Sequence, residues 1–166
     1  MRFHIEQRFG LSAQTVCDAM TDAGFASRMS GLPRLGRPEL VERREDPDRI
    51  VTLIRYAFVG DLNQAVRRVI DPARLSWVEE AVCDRTTLRT TFRILPDHYA
   101  QLIACQGTTT LTAVQGGTSR STDGELKVHV PLVGAKVERA ILSGLEEHAA
   151  AVIPVVADWA ADTGRT

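Results

Sequence analysis

The side chains able to do chemistry in this sequence are few and dispersed. The histidines are His4, His98, His129 and His148, and the cysteines are Cys17, Cys83 and Cys105. No H-E-x-x-H, C-x-x-C or comparable spacing gathers three nitrogen or sulfur ligands, so no metal is expected. The cysteines are odd in number and widely spaced. In a reducing compartment that reads as buried thiols acting as small hydrophobes. No histidine stands beside one in sequence to make it a nucleophile. "GGT" at 116–118 is a turn and not a phosphate loop, since neither a lysine nor a helix start follows it. There is no G-x-S-x-G elbow. No cofactor is implied.

What remains are polar and aromatic groups on apolar faces. "RIVTLIRYAFVG" at 49–60 is rich in branched and aromatic residues and is apolar on both faces, which predicts a strand covered on both sides. Arg55 shares a face there with Val51, Leu53, Ala57 and Val59, while Tyr56 lies on the other face with Ile50, Ile54 and Phe58. In "RLSWVEEAVCD" at 74–84, Glu79 alternates in phase with Leu75, Trp77 and Ala81. His148 sits near the middle of the apolar stripe of a long C-terminal helix, and Glu138 sits beside that stripe. Each has a structural reading: an ion pair for Arg55 and Glu79, a solvated rim for Glu138, plain packing for Tyr56 and Trp77, a core imidazole with one partner for His148. The functional reading is a few polar groups orienting a ligand in an apolar setting.

The elements that must position these groups follow from periodicity. "FHIEQRF" at 3–9 alternates as a strand; Ser12 caps a short helix, and a second helical piece covers "AGFASRMSG". "ELVERRE" after Pro38 is a polar strand. Residues 62–70 fit either a helical turn or an extended link. "TTLRTTFRIL" at 86–95 is a strand with Leu88, Phe92 and Ile94 inward. "YAQLIACQ" and "TTTLTAVQ" are extended and interrupted at Gly107, and "GELKVHV" at 124–130 is the last strand. Pro131 then fits the first turn of a helix. Val133, Val137, Ile141, Leu145, Val152, Val155 and Trp159 recur on one stripe of it, so it must lie across an apolar partner, the sheet. Pro154 predicts a kink. The order is strand, two short helices, about six further antiparallel strands and one long helix: an α+β domain.

The 166 residues carry a net charge of −1 with 44% apolar and 25% charged residues. This fits one globular domain over 1–166 and supplies no basic field for nucleic acid. No run of 18 apolar residues and no apolar core of signal-peptide length occurs, so neither a membrane span nor secretion is expected and the expected location is the cytoplasm.

This order of elements, with "FHIEQRF…SAQTVCDAM", "LSWVEEAV" and "VHVPLVGAKVE" leading into the helix, resembles the helix-grip fold of the START-like (SRPBCC) superfamily. Within it, the chain looks most like an actinobacterial family of unknown function. The resemblance covers nearly the whole chain. It implies a curved antiparallel sheet wrapped around the C-terminal helix, two short helices after the first strand, and a hydrophobic cavity between sheet and helix, of roughly 300–1,000 Å³ if it is an ordinary small-molecule site. It brings no catalytic motif. The implied partner is a small hydrophobic molecule of lipid, polyketide or isoprenoid type. The lining candidates are His148, Arg55, Tyr56, Trp77, Glu79, Val137, Glu138, Ile141 and Leu145. Alternatives are a polyketide-cyclase-like or hydratase-like enzyme using the same cavity, or a protein-interaction module, a homodimer included, whose cavity is filled by side chains.

Overall fold

A computed structural model describes residues 1–59, 64–68 and 70–165. The chain runs β1 (Arg2–Phe9), α1 (Ala13–Thr21), α2 (Phe25–Arg28), β2 (Glu39–Asp46), β3 (Arg49–Ala57), α3 (Gln64–Arg67), a 3-10 turn at Pro72–Arg74, β4 (Ser76–Asp84), β5 (Arg89–Pro96), β6 (Ile103–Val114), β7 (Gly117–Val128) and α4 (Gly134–Thr163). The seven strands form one antiparallel sheet in the order β1-β7-β6-β5-β4-β3-β2. From β2 to β7 each strand pairs with its sequence neighbour. β1 then pairs with β7, so the polar C-terminal hairpin is flanked on both sides.

Alternation fixes which face is inward. Phe3, Gln7 and Phe9 of β1, Ile50, Thr52 and Tyr56 of β3, and Thr118, Leu126 and Val128 of β7 are buried. Their partners in register share that face: Ile54, Glu79 and Ile94 align across β3, β4 and β5, and Gln7 aligns with Arg120. One row crosses five strands as Ala81, Phe92, Gly107, Gly124 and Phe3. A Cβ on Gly107 would come within 2.7 Å of the Phe92 ring, and one on Gly124 would collide with the Phe3 ring. Two neighbouring glycines thus let two aromatic rings fold over the backbone from either side. Gly107 therefore sits inside a continuous β6 and does not interrupt it, contrary to the expectation from sequence.

α4 is the longest element, at 30 residues. It begins at Gly134 and not at Pro131, because Leu132 adopts a left-handed φ of 68°. Gly134 also lies so close to the Val128 carbonyl that a Cβ would stand 2.5 Å from it. Its N–H donates to the Val130 carbonyl at 2.8 Å. Pro154 leaves the helix unbroken for nine more residues. Pro154 and Ala150, whose carbonyl loses its partner there, are both exposed, so water can serve that oxygen. By length and composition α4 could cross a membrane, an exception to the expectation of no such segment. In this fold it lies against β1 and β7.

The stripe is not buried evenly. At the N-terminal end Val137 joins Phe3, Cys105, Leu126, Val128 and Val130 in one apolar cluster. At the C-terminal end Val152, Val156, Trp159 and Ala160 join Phe9, Tyr56 and residues of α1 and α2 in another. Between them Ile141, Leu145 and His148 are only half-buried. The stripe also drifts, as a 3.6-residue period dictates, so that Val156 is fully buried and Val155 only partly.

Other departures are local. Of the ambiguous stretch 62–70, Gln64–Arg67 is one helical turn, and residues 62, 63 and 69 lie outside the described residues. β5 starts at Arg89, because Leu88 has a φ of 54° and belongs to the turn. β7 begins seven residues before the predicted strand.

Candidate functional site

The polar groups of the interior converge on an arginine that the sequence reading passed over. Arg120 projects from β7 onto the inner face, and its Nη1 donates to the Gln7 side-chain oxygen. The amide nitrogen of Gln7 in turn donates to the Ala149 carbonyl of α4 at 2.6 Å. Arg120 therefore touches a neutral group, and among the described residues no carboxylate stands within ion-pair distance of it. Burial pulls its pKa below the ordinary arginine value, while Glu79 and Tyr56 push it back up.

Three other titratable side chains feel that charge. Glu79, reached across the concave face, has its pKa raised by burial, with Arg120 opposing. Tyr56 is raised by burial and by Glu79, with Arg120 again opposing. His148, from the middle of α4, is lowered by burial first and by Arg120 second. The His148 Nδ1 is buried without a hydrogen-bond partner. An imidazole biased toward its neutral form, a carboxyl biased toward its protonated form, a phenol and a guanidinium thus share one interior. Glu79 and Arg120 lie deep in the protein, yet both keep part of their surface accessible, as do Trp77, Phe92 and Ile94 beside them. The Tyr56 and Trp77 rings stack at 5.8 Å between centroids. An interior that is deep and still accessible is incompletely filled.

The remaining candidates fall elsewhere. Arg55 lies on the outer face, half-buried, where it pairs with Asp97; Ser76 donates to the same carboxylate oxygen at 2.6 Å. With both faces of β3 apolar, alternation gave the phase of the strand but not which side faces in. Val137 is in the apolar cluster at the start of α4, away from the polar interior. Glu138 accepts from the Val128 N–H at 2.9 Å and lies 3.6 Å from the Met1 ammonium, a local tie between strand and helix. Ile141 and Leu145 occupy the half-buried middle of α4 with His148. Among the described residues no cluster of three metal-ligating side chains occurs.

Two grooves of about 310 and 280 Å³ lie outside this interior. The first lies along two rows, Glu80, Arg93 and Gln106 and then Val82, Thr91 and Thr108; the second runs between the β1 edge and α4. Neither holds Arg120, Glu79 or His148.

A seven-stranded antiparallel sheet whose concave face grips a long C-terminal helix is the helix-grip fold. Solved structures with the same arrangement include TTHA0849 from Thermus thermophilus (16% identity, TM-score 0.67, covering 94% of each chain). Others are the Zhui aromatase/cyclase from Streptomyces sp. R1128 (14%, 0.64, 100% of this chain and 98% of that one) and norcoclaurine synthase from Thalictrum flavum (17%, 0.64, 94% and 86%). At these identities the likeness is one of fold. Residues 4–159 match the family described as "Protein of unknown function (DUF2505)", and the chain belongs to that family. No curated protein matches the sequence.

Proposed function

We propose that this protein binds one small, largely apolar molecule between the concave face of the sheet and the middle of α4, with a polar end of the molecule seated between Arg120 and His148. The observation that carries this reading is the buried Nδ1 of His148, which has no hydrogen-bond partner among the described residues, in the same interior as the Arg120 guanidinium whose charge it feels and which no carboxylate among the described residues touches. Both groups have hydrogen-bonding capacity that the protein leaves unused, and such capacity is costly in an interior unless something fills it. Trp77, Phe92, Ile94, Ile141 and Leu145 would supply the apolar contacts. Entry would be past the middle of α4. That stretch contains no fully buried residue.

A second reading has its own support. Glu79 and His148 are both biased toward their neutral forms, on groups coupled to one cation, which suits proton transfer to and from a bound substrate. An enzyme of cyclase or hydratase type would use the same interior.

Native mass spectrometry of freshly purified protein, followed by titration with an apolar fluorescent probe, tests the first reading. Saturable one-to-one binding, displaced by fatty acids or aromatic polyketides and lost in Ile94→Trp, is the expected result. No saturable binding by any probe overturns it in favour of a filled interior and an interaction role.

A further inference from the structure

We infer that Cys17 and Cys83 form a redox-modification site, closing to a disulfide when the protein meets a hydroperoxide. The two sulfurs lie 3.3 Å apart although the residues are 66 positions apart in the chain. Both are buried, at 2% and 3% exposure, and share a small cluster with Ile50, flanked by Leu88 and Leu111. They are free thiols. Packing alone does not ask for this, because two small hydrophobes can meet a cluster without presenting sulfur to sulfur. The third thiol, Cys105, belongs to a different cluster, with Phe3, Leu126 and Val128.

The surroundings divide the roles. Cys83 is held below the usual thiol value by the hydrogen bond from Cys17, then by Thr90 and by the nearby Arg85 guanidinium. Cys17 is pushed up by that same hydrogen bond and by burial. Cys105 is raised to about 12, chiefly by burial. Cys83 is therefore the thiolate that attacks, since the thiolate is the reactive form. It sits one residue before the Asp84–Leu88 turn, whose opening gives a small oxidant access.

The Cys83 sulfur attacks one peroxide oxygen; the S–O bond forms, the O–O bond breaks, and the leaving alkoxide or hydroxide takes a proton to become alcohol or water. Cys17 then attacks the sulfenic sulfur. The S–S bond forms, the S–O bond breaks, and the departing hydroxide takes the Cys17 proton as water. The pair loses two electrons and the peroxide gains them. The product joins α1 to β4. On its other side α1 packs Val16 and Ala19 against Val156 and Trp159 of α4, so the bond clamps the helical layer to the sheet at the C-terminal end of the interior.

The test treats fully reduced protein with hydrogen peroxide and follows intact mass, free thiols and a non-reducing peptide map. Free thiols should fall from three to one, with loss of two hydrogen masses and one linked pair of peptides carrying residues 17 and 83. The melting temperature should rise and return on reduction. Cys105→Ser should leave the linkage intact. Cys17→Ser should abolish it and leave Cys83 as a sulfenic acid that a dimedone-type reagent traps. Retention of all three thiols while a control dithiol oxidises, or a linkage through Cys105, overturns the proposal. The wild-type map decides the matter even where a variant fails to fold.

Discussion

Gln7 ties Arg120 to α4: its side-chain oxygen accepts from the guanidinium and its nitrogen donates to the Ala149 carbonyl. One 3%-exposed amide thereby serves the interior charge and the helix at once. Gln7→Leu keeps the size but strips the partner from both. The expected cost is about 2–3 kcal/mol, the range for a hydrogen bond to a charged group plus a stranded polar atom. Urea denaturation measures it, and a change below about 0.5 kcal/mol would mean that water replaces the amide without penalty.

His148→Leu removes an imidazole whose Nδ1 has no partner. Stability should stay level or rise by about 1–2 kcal/mol, since the polar group lost was unsatisfied. The effect on binding should depend on the ligand. A molecule with a polar end should bind about five- to a hundredfold more weakly, while its analogue of equal shape without that group changes little. Equal losses for both ligands would make His148 a packing residue only. The pH profile offers a second readout. The folded pKa of His148 is depressed below 6.5, so the unfolded chain binds its proton first and wild-type stability falls as pH drops below 6.5 toward the folded value. That part of the decline should be missing in the leucine variant.

Glu79 has the opposite sign. Its folded pKa is raised above 4.5, mainly by burial. Below pH 4.5 both states hold the proton and the group costs nothing. As pH rises from 4.5 through the folded value, the unfolded chain ionises first and the fold loses stability. Glu79→Gln should therefore be more stable than wild type at neutral pH, with the gain vanishing below 4.5, as followed by melting temperature across pH 3.5–8. A variant less stable than wild type throughout would show that the ionised carboxylate supports the fold through Arg120.

Val137, 5% exposed among Phe3, Leu126 and Val128, fastens the start of α4. Val137→Asp buries a charge with no partner and should cost more than about 3 kcal/mol. Ile141→Asp, in the half-buried middle, should cost far less. Equal losses in thermal melts would mean that the helix is held along its whole length.

The sequence made these strands legible where one face was apolar and the other polar: Phe92 and Ile94 face inward and Arg89, Thr91 and Arg93 outward, as alternation requires. It misled where that contrast vanished. β3 is apolar on both sides, so Arg55 could be phased but not sided. Residues 119–123, "SRSTD", lie between the "GGT" turn and the predicted last strand and fall in no predicted element, because they lack an apolar alternation. They are extended because β1 and β6 flank them on both sides, a tertiary demand that overrides propensity. Arg120 was hidden for that reason. The available signal was the two-residue step back from Val128 and Leu126 through Gly124 and Thr122, which puts residue 120 on the buried face. His148 and Glu79 were readable because each shares a phase with several large apolar neighbours.

A helix fastened at its two ends and slack between them works like a beam on two piers. The load is carried by Val137 on one side and by Val152, Val156 and Trp159 on the other, and the span at 141–148 bears little of it. Under the binding proposed above, folding and molecular choice would then be written in different residues. Sequence drift along the span would retune which molecule is accepted while the piers keep the fold standing, so one scaffold could change clientele without first becoming unstable.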